Sequence, residues 1–143
     1  MSLETGRYLI HNGNNIVSRN LAEDRSLNPK RIVLLEPTDK IELTWIIEKS
    51  GDGYILNNRG APTAPIENNV FALLIHQEQA TKWTIEAVPR HGKNAYIIKG
   101  SDGKGWVAPD KVGEQIIYRT LIVGPSEPPT FPPNQVFQII KLE

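Results

Sequence analysis

Leu43-Thr44-Trp45-Ile46-Ile47 recurs twice more, loosened to Lys82-Trp83-Thr84-Ile85 and to Val136-Phe137-Gln138-Ile139-Ile140. In each copy an aromatic residue precedes a β-branched aliphatic, directly or with one residue between. Each copy closes a block opened by a second recurring phrase. The openers are Gly6-Arg7-Tyr8-Leu9-Ile10, Gly53-Tyr54-Ile55-Leu56 and Asn94-Ala95-Tyr96-Ile97-Ile98. Their tyrosines, Tyr8, Tyr54 and Tyr96, stand 46 and 42 residues apart. Self-similarity at such a period marks a repeat architecture. The copies are rich in β-branched and aromatic residues, which suit strands.

Reading outward from these phrases, each block holds four short strands. In the first, Tyr8–Ile10 and Ile16–Ser18 flank the turn Asn12-Gly13-Asn14-Asn15, where Asn-Gly supplies positive φ. Residues 31–35 form a third strand, Glu36-Pro37-Thr38-Asp39 turns, and 41–47 return. In the second, Lys49 to Gly53 turns into a strand at 54–56. There follow a weak strand at 61–66, whose Pro62 and Pro65 place it at an edge or rim, and strands at 70–75 and 82–88. In the third, 96–98 is followed by a turn over 100–105, by 106–108, by 116–118 with 121–123, and by 135–142. No helix-length window carries a 3.6-residue period. Twelve strands in three blocks of about 1–50, 51–92 and 93–143 predict one all-β domain over residues 1–143. The expected architecture is a β-trefoil, a six-stranded barrel capped by three hairpins. Trp45, Trp83 and Phe137 are its expected core.

Composition narrows the function. Lys plus Arg and Asp plus Glu number 16 each, so the formal charge is zero. Nucleic-acid binders usually carry a basic surplus, and none is expected here. There is no cysteine, hence no disulfide and no thiol nucleophile. Gly6, Arg7, His11 and Asn12 interrupt the leading segment, so no signal peptide is expected. No apolar run reaches spanning length, and the expectation is a cytoplasmic protein without a membrane partner. His11, His76 and His91 show no metal spacing and read as turn or surface residues. No nucleophile elbow, phosphate loop or calcium loop is present. Neither a cofactor nor an enzymatic activity is expected.

Function then belongs to loops on a rigid scaffold. The candidates are residues 22–29, with one arginine among small or acidic neighbours; Glu48-Lys49-Ser50-Gly51; and the loop 124–134, with Phe131 among five prolines. Lys30 and Arg31 stand too close to the next strand to project freely.

The chain resembles the mushroom serine protease inhibitors of β-trefoil fold, the mycospin type. The resemblance runs from Gly6-Arg7-Tyr8 through Trp45, Trp83 and Gly105-Trp106-Val107-Ala108-Pro109 to Phe137-Gln138-Ile139-Ile140. It implies a monomeric, tight, reversible inhibitor of trypsin-like serine proteases, serving in defence of the fruiting body. It places the reactive site on Arg25 and Ser26, flanked by Glu23, Asp24, Leu27 and Asn28. Acidic residues before a scissile arginine sit badly with a trypsin substrate, although slow cleavage suits an inhibitor. Related trefoils suggest alternatives. Plant inhibitors use the loop equivalent to Lys49-Ser50. Cysteine-protease inhibitors use hairpin loops near Gly13 and Pro37, and asparaginyl-protease inhibitors an Asn such as Asn57 or Asn58. Lectins repeat Gln-x-Trp, of which only Gln135-Val136-Phe137 keeps the glutamine.

Overall fold

The computed structural model describes residues 3–38 and 41–142; Asp39 of the expected turn lies outside them. Twelve strands are present: β1 Gly6–Asn12, β2 Asn15–Arg19, β3 Lys30–Leu35, β4 Trp45–Ser50, β5 Gly53–Asn58, β6 Ala61–Ile66, β7 Asn69–Ala72, β8 Thr84–Ala87, β9 Ala95–Lys99, β10 Lys104–Val107, β11 Ile117–Thr120 and β12 Phe137–Lys141. Four short 3-10 turns complete the regular structure, and no α-helix occurs among the described residues.

The recurring phrases meet in pairs. Tyr8 lies opposite Trp45, Tyr54 opposite Trp83, and Tyr96 opposite Phe137. Each opener tyrosine thus faces the aromatic residue that closes its own block. At the middle pair, Tyr54 and Trp83 exchange both backbone hydrogen bonds at 2.8 Å. These contacts join β1 to β4, β5 to the residue before β8, and β9 to β12. The pairs β4–β5, β8–β9 and β12–β1 close a ring of six strands. The other strands form three hairpins, β2–β3, β6–β7 and β10–β11. They pair with one another through Arg31–Phe71, Ile117–Asn69 and Val33–Gln115.

Trp45, Trp83, Trp106 and Phe137 are fully buried. The Trp106 ring touches the other three, with centroids 5.8, 5.4 and 6.1 Å away. Such tilted and edge-on contacts suit the aromatic quadrupole. Two of the indoles are tied to the hairpins, Trp45 Nε1 donating to the Val17 carbonyl at 2.7 Å and Trp83 Nε1 to Thr63 Oγ1 at 2.9 Å. At the opposite end, Leu3 and Glu4 lie across the tyrosines. Tyr54 Oη accepts from Leu3 N–H at 2.9 Å, and Tyr8 Oη donates to the Glu4 carbonyl at 2.6 Å.

Several local expectations are corrected. Residues 41–43 form a 3-10 turn and not the start of β4. Lys49 and Ser50 belong to β4, opposite Tyr54 and Gly53, so the expected loop there shrinks to Gly51-Asp52. Lys104 and Gly105 lie in β10 and not in its turn. Residues 121–123 leave the sheet after β11, and Ile122 and Val123 are exposed. His11 lies in β1 rather than a turn, half-buried, with its Nε2 lacking a hydrogen-bond partner. Burial holds its pKa below the usual histidine value.

Candidate functional site

The ordering of the loop 20–29 begins at its two roots. β2 ends on Arg19 and β3 begins on Lys30, and both are more than nine-tenths buried. A buried cation costs free energy unless it is paired and hydrogen-bonded. Each root cation is satisfied by one of the two acidic residues that precede Arg25.

Arg19 grips Glu23 with a two-pronged bond, Nε to Oε2 at 3.1 Å and Nη2 to Oε1 at 2.7 Å. Its third prong, Nη1, donates to the Asn58 carbonyl at 3.0 Å. Arg59 joins from the β5–β6 turn, 3.3 Å from Glu23 Oε1 and 2.5 Å from the Asn20 carbonyl. Arg59 holds φ at 50°, a left-handed position that non-glycine residues seldom adopt. Burial, then the adjacent Arg19 charge, lower its pKa below the ordinary guanidinium value. The Glu23 carboxylate consequently faces inward, its side chain 16 % exposed.

Lys30 Nζ lies 2.5 Å from Asp24 Oδ1, 3.1 Å from the Asp24 carbonyl and 3.2 Å from Ser26 Oγ. Asp24 Oδ1 also accepts from the Ser26 N–H at 3.0 Å and the Ser26 hydroxyl at 2.6 Å. Ser26 Oγ accepts from the Asn28 N–H at 3.3 Å. The Lys30 hydrogen bond first, and those from Ser26 next, hold the Asp24 carboxyl well below the usual carboxylate range.

Arg25 stands between these anchors. Its side chain is exposed, and neither a hydrogen bond nor an ion pair engages it among the described residues. Ser26 is half-buried, while Leu27 and Asn28 are exposed. The chain bends at Arg25 and Ser26, around the Asp24 carboxylate. Leu27 is 64 % exposed. Beyond Ser26 the loop borders a shallow groove lined by Leu27, Pro29, Ile66, Leu73 and Ile75.

All six residues expected at the site, Glu23 to Asn28, thus fall on one loop. The residues that shape it were missed: Arg19, Lys30, Arg59 and the backbone carbonyls of Asn20 and Asn58. The one available signal was a cation at each strand end with two acids between them; periodicity does not carry it. Lys30 was expected to be unable to project freely, and it is indeed buried, but facing into the loop.

The competing loops present less. Asn57 and Asn58 end β5 and are not in a turn; Asn58 is fully buried, its Nδ2 donating to Ser18 Oγ at 3.0 Å, so it is not offered to a protease. Phe131 is partly buried against a small cluster that includes Val88, Ile97 and Val136. Its N–H donates to His91 Nε2 at 3.1 Å, and Arg90 donates to the Pro128 carbonyl at 2.9 Å. Gln135 is 2 % exposed and bonds both backbone groups of Ile122 at 2.8 Å. No cluster of His, Asp and Glu suited to a metal ion occurs among the described residues.

The family model of peptidase inhibitor I66 matches residues 1–141. A "Serine protease inhibitor" of Lentinula edodes is 93% identical over 142 residues, covering 99% of this chain and 100% of that one. The structure of a proteinase inhibitor from Coprinopsis cinerea superposes with a TM-score of 0.91 at 36% identity, covering 99% of this chain and 100% of that one. The Rhizoctonia solani agglutinin has a TM-score of 0.72 at 17% identity over 99% of both chains, a likeness of fold alone.

Proposed function

This chain belongs to the peptidase inhibitor I66 family, and from that premise we propose that it blocks trypsin-like serine proteases as a monomer, with Arg25–Ser26 as its reactive bond. It is an inhibitor of serine proteases and not an enzyme. The six-stranded ring with three mutually paired hairpins reads as a β-trefoil, and the β2–β3 loop is the part that meets the protease.

The observation that carries the reading is the exposed, unengaged Arg25 guanidinium between two tethered neighbours. The primary pocket of trypsin ends in a carboxylate and accepts such a side chain. The resulting charge-assisted bond forms in a desolvated site and can be two-pronged. A loop already ordered by Arg19 and Lys30 loses less conformational entropy on docking. The acidity that argued against a trypsin site is dealt with inside the loop. Glu23 is met by Arg19 and Arg59, and Asp24 by Lys30.

The test is a titration of trypsin, chymotrypsin and papain with the wild-type chain, Arg25→Ala and Lys49→Ala. Trypsin inhibition is expected, weakened by about 2–5 kcal/mol in Arg25→Ala. Folding stability should change by no more than about 0.5 kcal/mol, as for other exposed loop positions. Lys49→Ala should inhibit like the wild type. Unaltered inhibition by Arg25→Ala would remove this loop from the mechanism.

A further inference from the structure

The hydrogen bonds around Arg25 do more than order the loop: they join the residue before it to the residue after it. Asp24 precedes Arg25, and Ser26 follows it. Asp24 Oδ1 holds both the N–H and the hydroxyl of Ser26, at 3.0 and 2.6 Å. Lys30 Nζ reaches the Asp24 carboxylate, the Asp24 carbonyl and Ser26 Oγ, at 2.5, 3.1 and 3.2 Å. Of these groups only the Ser26 N–H belongs to the Arg25–Ser26 peptide; the Ser26 hydroxyl, the Asp24 carbonyl and the Asp24 carboxylate lie outside it. Cutting that peptide would leave the bonds from Lys30 and from the Ser26 hydroxyl in place and turn the Ser26 N–H into an amine beside the same carboxylate. Lys30 is itself fixed, its side chain 7 % exposed and its backbone paired with Ala72 of β7.

We propose that Lys30, acting with the Asp24 carboxylate, bridges the two sides of the Arg25–Ser26 bond and keeps its cleavage reversible. Lys30 is then the positioning residue that makes this loop an inhibitor rather than a substrate. The proposal rests on the reading of Arg25–Ser26 as the reactive bond.

The chemistry fixes where the bridge acts. The protease serine attacks the Arg25 carbonyl carbon, and the bond to the Ser26 nitrogen breaks. That nitrogen takes up the proton lost by the serine, relayed by the protease histidine, and leaves as an amine. Arg25 is now an ester on the protease. Water can hydrolyse the ester, leaving an Arg25 carboxylate and a free protease serine. Alternatively the Ser26 amine attacks the ester, the peptide bond re-forms, and the serine regains its proton. Which route wins depends on the local concentration and orientation of the amine. Groups held in reacting geometry behave as if present at very high concentration. Here the nascent amine stays beside Asp24 Oδ1, and its own hydroxyl stays on Lys30. Without a disulfide, β2 and β3 hold the severed halves through their pairing, Arg19 opposite Ile32. That pairing sets the coarse distance, and the bridge sets the last ångströms.

The test is an equilibrium measured from both sides. Wild type, Lys30→Met and Asp24→Ala are each incubated with a small amount of trypsin, starting from intact and from cleaved chain. Mass spectrometry follows the ratio of cleaved to intact chain and the rate of peptide re-formation. The wild type should settle mostly intact. Both variants should shift the ratio towards cleavage about tenfold or more, equivalent to about 1.4 kcal/mol, and re-form the bond more slowly. Asp24→Asn, which keeps an acceptor for Ser26, should recover part of the loss. These readouts compare two states of one loop, which a general loss of stability does not mimic; thermal melts provide the control. Should Lys30→Met fail to fold, Asp24→Ala carries the test, because the Asp24 side chain is 75 % exposed. Wild-type ratios and re-formation rates in both variants, with cleavage at Arg25–Ser26, overturn the bridge. So does a chain uncut in every variant while Arg25→Ala abolishes inhibition. Cleavage elsewhere, or full inhibition by Arg25→Ala, instead overturns the reading of the reactive bond.

Discussion

At Asp24, one carboxylate oxygen accepts from Lys30 Nζ and from the N–H and hydroxyl of Ser26. All three favour the ionised form, and the carboxyl titrates well below the usual carboxylate range. The sign of the linked effect follows. A depressed folded pKa contributes stability that is fully present above the unfolded value, about 3.9, and is lost as pH falls through the folded one. The loop should therefore keep its order at pH 4, where an unperturbed aspartate is half protonated. An NMR titration of the Asp24 carboxyl carbon and the Ser26 amide should show no midpoint near pH 4 and a transition only below it. A midpoint at the ordinary value would mean that Lys30 does not hold the carboxylate. Glu23 makes a related point. Its charge counts against a trypsin site when read along the chain, yet in space it belongs to Arg19 and Arg59.

At the scale of elements, the strands were more legible than the turns. Recurrence and β-branched content place strands near Tyr8, Tyr54 and Tyr96, but the boundaries follow partners distant in sequence. Lys49 and Ser50 look like turn residues and instead complete β4, because Tyr54 and Gly53 come back opposite them. Gly105 looks like a turn glycine and instead lies in β10, where space decides it. A Cβ there would meet the Ile98 carbonyl oxygen at 2.5 Å and Leu121 Cδ1 at 2.8 Å. Gly105→Ala should destabilise by about 1–3 kcal/mol through overpacking. Urea denaturation checks it, and a loss under about 0.5 kcal/mol would show that β9 and Leu121 move aside freely. The Gly13 turn differs: Gly13 holds φ at 61°, and nothing lies within 4 Å of an added Cβ, so backbone conformation alone selects glycine there.

Across the whole molecule, the three block-closing aromatics meet around Trp106 of β10, whose equivalents β2 and β6 carry no aromatic residue. Trp45 is fully buried, packs at a tilt against Trp106, and donates to the Val17 carbonyl at 2.7 Å. Trp45→Ala should cost about 3–5 kcal/mol, the scale of large aromatic truncations in cores. Chemical denaturation measures it, and a loss below about 1 kcal/mol would place Trp45 outside the core. Arg25→Ala, by contrast, should leave the same denaturation curve almost unmoved. The two variants separate scaffold from site.

What the sequence determined alone was the repeat: three openers, three closers and a strand-like composition, enough for an all-β domain in three blocks; that Tyr8 lies opposite Trp45, Tyr54 opposite Trp83 and Tyr96 opposite Phe137 came from the fold. Such patterns are local and periodic, and burial of one face enforces them. It also offered the loop with one arginine among small or acidic neighbours as one of three candidates, and the family resemblance placed the site there. Only the tertiary structure decided how that loop is held. Arg59 arrives from the next block, Asn58 supplies a carbonyl from the end of β5, and the buried Lys30 turns back on Asp24 and Ser26. Those contacts have no period, and they form because cations buried at the strand ends must find anions or carbonyls wherever the fold brings them.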